Sequence, residues 1–311
     1  MDNKKRVLLF GKVPPPIGGV TVSVKNLIAA LASKGIQADL LGKNMRRLHY
    51  DVAHIHYSNL VKRCIGVILA RLFAKRVIFT VHGKFLDMDN IYNRLSVRFS
   101  HGVIVLNTKL LEQLQNTNPE INCCIMPSIF AEGFDDTAGK EVYFEKSTEY
   151  KYLLLYAFDK NFKDGHEVYG VTFVLENLHR LDKKYKIVLL DMNGKYADDV
   201  VPYLDRVIYL DRVVNFVNLL FQVDIYLRPT FMDGASVAVQ EALVMNVPVL
   251  ASDVVDRPVG SCTYRYLDAE DFVAKLAEAS QNAHPTMELQ SVDKYLQFCE
   301  QMLSSTESTI E

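Results

Sequence analysis

The sequence predicts an α/β protein made of two domains, each a parallel sheet covered by helices on both faces. Three observations lead there. The 311 residues exceed what one ordinary core of ~100–200 residues requires. Short β-rich runs alternate with helix-like segments along the chain, which is how parallel sheets are built. Residues 131–150, AEGFDDTAGKEVYFEKSTEY, are polar and aperiodic, and the charge changes sign there. Residues 1–140 carry 19 Lys and Arg against 10 Asp and Glu, whereas the remainder carries 16 against 27.

The elements follow in order. RVLLFG is a buried strand, and GGVTVSVKNLIAALASKG is a helix with Val20, Val24, Leu27 and Leu31 on one stripe, closed by Gly35. IQADLLG and VAHIHY are strands. A helix over Cys64 to Ala74 is expected to spend its Leu and Ile residues on core packing. RVIFTVHG, a helix over 90–99, GVIVLN, a helix from Thr108 and CCIMPS complete a first Rossmann-like domain, 1–130. The alternation restarts at KYLLLYAF and runs through a helix near 170–181, YKIVLLDMNG, RVIYLD, a short helix near 214–221, VDIYLRP, a helix from Ala235 or Ser236, VPVLAS, CTYRYL and a helix over 268–279. That second domain spans 150–285. A last helix, 287–303, carries Val292, Leu296, Cys299 and Leu303 on one stripe.

Composition excludes several classes. An apolar share of 49% with 23% charged residues describes a folded protein rather than a disordered one. No apolar run reaches the ~18 residues of a membrane span, because CIGVILARLFA is interrupted by Arg71. The apolar part of MDNKKRVLLFG is too short for a signal peptide, so a cytoplasmic protein is expected. Five cysteines without CxxC spacing read as reduced thiols and no metal site.

The chemistry concentrates in TFMDGASVAVQEALVMNVPVLASD, Thr230 to Asp253. A strand ends at Pro229, and a helix begins after a loop holding Asp233 and Gly234. Backbone N–H groups at Ala235, Ser236 and Val237 then offer a phosphate cradle at the carboxyl end of a parallel strand. Glu241, inside the helix, reaches a diol such as a ribose, and Asp233 accepts from sugar hydroxyls. Turn and capping chemistry for Asp233 and a solvated position for Glu241 form the bland alternative. Gly18 and Gly19 let backbone approach a diphosphate or an acceptor, though a plain strand–helix turn reads equally well. His82 ends the strand VIFTV, whereas His54, His56 and His101 read as structural.

These segments resemble the family 4 glycosyltransferases of the GT-B fold. Asp233 and Glu241 match the spacing of that family's E-x7-E, with Asp in place of the first Glu. EALVMNVPVLASD is similar to its EAMA-x-G-x-PVVA run, with Asn246 at the Gly position. PPPIGGVTVSVKNLIAAL resembles its Gly-rich loop and first helix, RVIFTVHG its strand ending in a functional His, and DVAHIHY also fits. The resemblance implies two Rossmann-like domains facing across a cleft, with the last helix crossing back to the first. It implies metal-independent, retaining hexosyl transfer without a cofactor. The donor is a nucleotide-sugar and the acceptor a glycan or polyprenyl-diphosphate-linked glycan of surface-polysaccharide synthesis. His82 would organise the transferring centre. Lys163 stands at the lysine of the family's G-R-x4-K-G signature and would neutralise the diphosphate. There the sequence departs: Ala157 replaces Gly, Phe158 replaces Arg and Asp164 intervenes before Gly165. Lys160 or Arg228 would supply the missing cation. A GT-B sugar-nucleotide epimerase and a non-catalytic GT-B partner are the alternatives.

The basic first half suits the anionic inner face of a membrane, met peripherally through Lys43, Arg46, Arg47, Lys62, Arg63, Lys75 and Arg76, with a shallow contact from Arg71 and Leu72. No nucleic-acid partner is expected.

Overall fold

The computed structural model describes residues 6–43, 49–83, 86–134, 141–281 and 287–304. Arg46 and Arg47 lie outside the described residues. The chain divides into two compact units, Met1–Phe134 with Leu289–Glu311, and Asp135–Glu288.

The first unit contains β1 (Arg6–Phe10), α1 (Gly19–Ser33), β2 (Gln37–Leu40), β3 (Tyr50–Ile55), α2 (Leu60–Ala70), β4 (Ala74–Thr80), α3 (Ile91–Phe99), β5 (Gly102–Val105), α4 (Thr108–Thr117) and β6 (Cys123–Ile125). The strands are parallel in the order β2-β1-β3-β4-β5-β6. Side chains alternate between faces, as the two-residue period of a strand requires. Val7 and Leu9 enter one buried cluster, and Leu8 and Phe10 the other.

The second unit contains β7 (Lys151–Ala157), β8 (Phe162–Lys163), β9 (His166–Glu167), α5 (Val171–Glu176), β10 (Tyr185–Asp191), α6 (Ala197–Val200), β11 (Val207–Leu210), α7 (Phe216–Leu220), β12 (Ile225–Arg228), α8 (Val237–Val244), β13 (Val249–Ser252), β14 (Ser261–Tyr264) and α9 (Ala269–Ala279). Its large sheet is parallel in the order β11-β10-β7-β12-β13-β14. Taken in chain order this is 3-2-1-4-5-6, the doubly wound arrangement, and the winding reverses between β7 and β12. The loops after those two strands therefore flank the ligand crevice of such a sheet.

Helix α10 (Asp293–Ser304) closes the chain and packs on the first unit. Its Tyr295, Phe298, Cys299 and Met302, with Val292 just before it, join Val7 and Leu9 in one core. Gly102 makes this possible, because a Cβ there would lie 2.6 Å from Met302 Sδ and 2.9 Å from Phe298 Cζ. The helix starts later than 287, after Ser291 and Val292 bond the Glu132 carboxylate.

Two expectations about α2 are corrected. It runs from Leu60 to Ala70 and ends before Leu72, and its apolar residues are not all core. Cys64, Gly66, Val67 and Ala70 face inward, whereas Val61, Ile65, Ile68 and Leu69 are exposed, together with Leu72 at 71%. Arg63 is likewise no surface cation: it is 2% exposed, donates to Asn93 Oδ1 and stacks over Phe79.

Candidate functional site

In the second unit the loops after β7 and β12 converge at Gly170. This residue has φ 67°, the left-handed region that glycine tolerates, and a Cβ on it would lie 2.1 Å from Pro229 O. The close approach brings Tyr169 beneath the end of β12, where the Arg228 guanidinium sits 5.6 Å from its ring.

Asp233 is the hub of this region, and its carboxylate is not open. Arg228 Nε donates to Oδ2 at 2.8 Å and Nη2 to Oδ1 at 3.1 Å, a bidentate pair, and Arg257 Nη1 donates to Oδ2 at 2.8 Å. The Asp233 side chain is 8% exposed, that of Arg228 10% and that of Arg257 3%. Burial alone would raise the Asp233 carboxyl, but the Arg228 guanidinium, and after it that of Arg257, hold it below the ordinary carboxylate range. Arg257 is oriented by Ser252 O, Ser252 Oγ and Thr230 Oγ1. Two guanidinium groups share one carboxylate, so the cluster carries an excess positive charge.

Helix α8 starts one to two residues later than expected. Ser236 is its N-cap, with Oγ accepting from Val239 N at 3.4 Å, and Ala235 precedes the helix. Gly234 N donates to Asp233 Oδ1 at 3.1 Å, so this amide is also engaged inside the loop. The remaining donors of the first turn belong to Val237 and Ala238. Glu241 lies half-buried on α8, close enough to Tyr156 for its charge to help raise that phenol, after burial and after Tyr169 and Tyr226. Asn246 ends the helix with φ 58°.

Lys163 and Lys160 differ. Lys160 Nζ is held by both oxygens of Asp199, at 2.8 and 2.7 Å, and lies 5.3 Å from the Tyr196 ring. Lys163 is exposed on β8, with Nζ 3.4 Å from Met232 Sδ in the loop that also holds Asp233. The intervening Asp164 has a structural reason. Asp164 (φ 53°) and Gly165 (φ 81°) form the two-residue turn of the β8–β9 hairpin, a conformation that Asp-Gly suits. His166 stacks on Phe231 at 4.5 Å and anchors the hairpin to the β12 loop.

The first unit holds the other sequence-predicted residues. Gly18 is the N-cap of α1 in extended conformation (φ −170°), its N–H is bonded to Thr21 Oγ1, and a Cβ there would meet nothing closer than 4.0 Å. Gly19 opens the helix and is exposed. His82, two residues beyond β4, joins a row of rings: His56 Nδ1 lies 3.2 Å from His82 Nε2, and His56 Nε2 lies 3.2 Å from His54 Nδ1. Burial, then the Arg63 charge, lowers His82 to about 4, and burial lowers His54 to about 3. A pocket beside these rings is lined by Ser23, Thr80, Met126, Phe130 and Tyr295. Among the described residues no group of three or more His, Cys, Asp or Glu is placed to hold a metal ion, and no helix is long and apolar enough to cross a membrane.

Solved structures match nearly all of the chain. Sucrose-phosphate synthase from Thermosynechococcus elongatus aligns with a TM-score of 0.65 at 12% identity, over 97% of this chain and 94% of that one. The catalytic domain of starch synthase IV from Arabidopsis thaliana, bound to ADP and acarbose, gives 0.64 at 10% identity, over 97% and 99%. HepE from Anabaena, in complex with UDP-glucose, gives 0.57 at 13% identity, over 97% and 99%.

The chain has the α/β GT-B fold. No family model and no curated protein sequence matches it. Within this GT-B chain the sequence reading missed Arg257, whose contact with Asp233 spans 24 positions, and the pairing of Asp233 with Arg228 five positions before it, which takes the turn after β12 to form. It also set His54 and His56 aside. Their i, i+2 spacing on a strand, which places both on one face, is the signal that links them.

Proposed function

We propose that this GT-B chain is a glycosyltransferase that moves a sugar from a nucleotide-sugar to an acceptor hydroxyl. The observation that carries the reading is the buried cation excess of Arg228 and Arg257 over Asp233, set where the winding of the second sheet reverses. A diphosphate is the complement of such a cluster, and the first turn of α8 and the exposed Lys163 add donors for it. Glu241 is assigned to the nucleotide ribose, and His82 to the transferring sugar.

In this reading the bond between the sugar's C1 and the diphosphate oxygen breaks while the acceptor oxygen bonds to C1 on the same face. The acceptor's proton passes to a donor phosphate oxygen, so no protein nucleophile is consumed and the anomer is retained. Arginine and lysine, rather than a metal, meet the leaving-group charge. A hexosyl donor and a lipid-diphosphate-linked glycan acceptor in surface-polysaccharide synthesis complete the reading. Support for a peripheral, anionic membrane surface comes from α2. Its exposed Val61, Ile65, Ile68 and Leu69 continue to Leu72, Lys62 and Arg71 are exposed on the same segment and Arg94 and Arg98 on α3, and neither α2 nor α3 carries an acid. Sedimentation with anionic but not neutral vesicles, and its loss in Ile65→Glu/Leu72→Glu, tests this. Equal binding to neutral vesicles removes the electrostatic part.

A second reading is favoured by the engagement of Asp233 with Arg228 and of Lys160 with Asp199: a GT-B partner that keeps the fold and transfers nothing. Thermal shift with UDP-, ADP- and GDP-sugars separates the two, since a ligand at 100 times its Kd adds about 2.7 kcal/mol. A shift with one nucleotide that is lost in Glu241→Gln, together with slow donor hydrolysis, supports the transferase. No shift with any nucleotide leaves the partner.

A further inference from the structure

The row of rings behind His82 continues inward to a hydroxyl. Thr80 Oγ1 lies 2.7 Å from His54 Nε2, His54 Nδ1 lies 3.2 Å from His56 Nε2, and His56 Nδ1 lies 3.2 Å from His82 Nε2. Thr80, His54 and His56 are 3%, 2% and 3% exposed. Tyr295 of α10 stacks on His54, centroids 5.5 Å apart, and covers its outer side. Burial keeps these rings neutral near pH 7.

A neutral imidazole has one N–H and one lone pair. Each contact in the row requires one proton, so the choice made at one contact settles all the others. Only two arrangements satisfy every contact: all three rings protonated on Nδ1, or all three on Nε2. Thr80 decides between them. Among the described residues its hydroxyl has no hydrogen-bond partner besides His54 Nε2. The arrangement in which the hydroxyl donates is therefore the one that the protein groups satisfy by themselves, because no other protein acceptor is offered to its proton. His54 then carries its proton on Nδ1 and passes a hydrogen bond to His56, which does the same to His82.

We propose that Thr80, His54 and His56 are positioning residues that hold His82 as the Nδ1–H tautomer, so that its second nitrogen is offered as a neutral hydrogen-bond donor to an oxygen of a bound sugar or phosphate. The row converts a residue that could serve as a base into one that donates, without placing a charge in a buried site. The ligand end of this inference rests on the transferase reading of His82, whereas the tautomer does not.

The test is a long-range proton–nitrogen correlation spectrum of the ring nitrogens in the whole 15N-labelled chain at pH 7, with His82→Gln identifying the His82 signals. His101 supplies an internal reference. Its Nδ1 accepts from Val77 N at 3.0 Å, so its proton must sit on Nε2. His54, His56 and His82 are expected to show the opposite pattern, protonated on Nδ1. An Nε2–H or mixed His82 in the wild type overturns the proposal and needs no variant to be seen. His56→Leu cuts the row and is expected to let His82 populate Nε2–H, whereas an unchanged His82 shows that it is held from elsewhere and also overturns it. Three Nδ1–H rings in a chain that binds no nucleotide-sugar would remove the transferase reading and leave the row standing. Nucleotide-sugar binding with mixed tautomers would do the reverse.

Discussion

The two units place polar side chains at the same point of the same scaffold, the carboxyl ends of parallel strands, and keep them dry by opposite means. In the first unit, His54, His56 and Thr80 are satisfied by shared protons and carry no charge. In the second, Asp233, Arg228 and Arg257 are satisfied by paired charges and leave a positive excess. Removing a member from a neutral row costs the desolvation of one polar atom. Removing one from a charged cluster strands an ion in a low-dielectric site. The row of the first unit thus owes its order to shared protons, and the cluster of the second owes its own to charge.

Breaking the charged cluster has the largest expected effect. Asp233→Asn leaves two buried guanidinium groups without their carboxylate and is expected to cost about 3–5 kcal/mol in urea unfolding. A loss under 1 kcal/mol would mean that the arginines find solvent or other partners. Because the Asp233 carboxyl is held low, its contribution is present above the unfolded value near pH 3.9 and is lost only as the pH falls through the folded one.

The neutral row responds at milder acidity. His54 and His56 are lowered by burial, the first to about 3, while the unfolded chain takes up these protons below about pH 6.5. Their contribution is therefore complete above that pH and lost as it falls, by about 3 kcal/mol in total between pH 6.5 and 5. The His54→Gln/His56→Gln chain is expected to lack this part of the pH dependence. An unchanged slope would show that the rings titrate freely.

Next comes Lys163, a cation with no acid partner among the described residues. Lys163→Ala is expected to lower kcat/KM about 10²-fold with stability unchanged, as for removal of a charge-stabilising donor. Wild-type kinetics would place the diphosphate elsewhere. The smallest effect is expected at Lys160, whose ion pair with Asp199 is about a third exposed on each side. Lys160→Ala is expected to cost about 0.2–1 kcal/mol of stability and to leave nucleotide affinity alone. A marked loss of affinity would return Lys160 to the site.

Much of this architecture was legible in the sequence because parallel strands buried on both faces read as apolar runs and their helices keep a 3.6-residue stripe. RVLLF and YKIVLLD became β1 and β10 for that reason. The loop after β12 was legible as well, since Ser236 and Asn246 bracket α8 with recognisable end signals. What was not legible depends on partners distant in sequence. Nothing local tells Arg63 from Lys62, yet Asn93 and Phe79 bury the first. The stripe of α2 reads as core, because hydrophobic periodicity reports a face and not what covers it. Asp233 looks like an open acid until Arg257 arrives from the loop after β13.

The last helix has a temporal meaning. The first unit is discontinuous, and residues 135–288 are synthesised before α10 can supply Tyr295, Phe298 and Met302 to its core. At about 5–20 residues per second this interval lasts roughly 8–30 s, during which one apolar face of the first sheet, and the side of His54 that Tyr295 covers, waits in water. The second unit, contiguous in the chain, meets no such delay. Birth order is thus inverted: the domain translated first is the one that matures last.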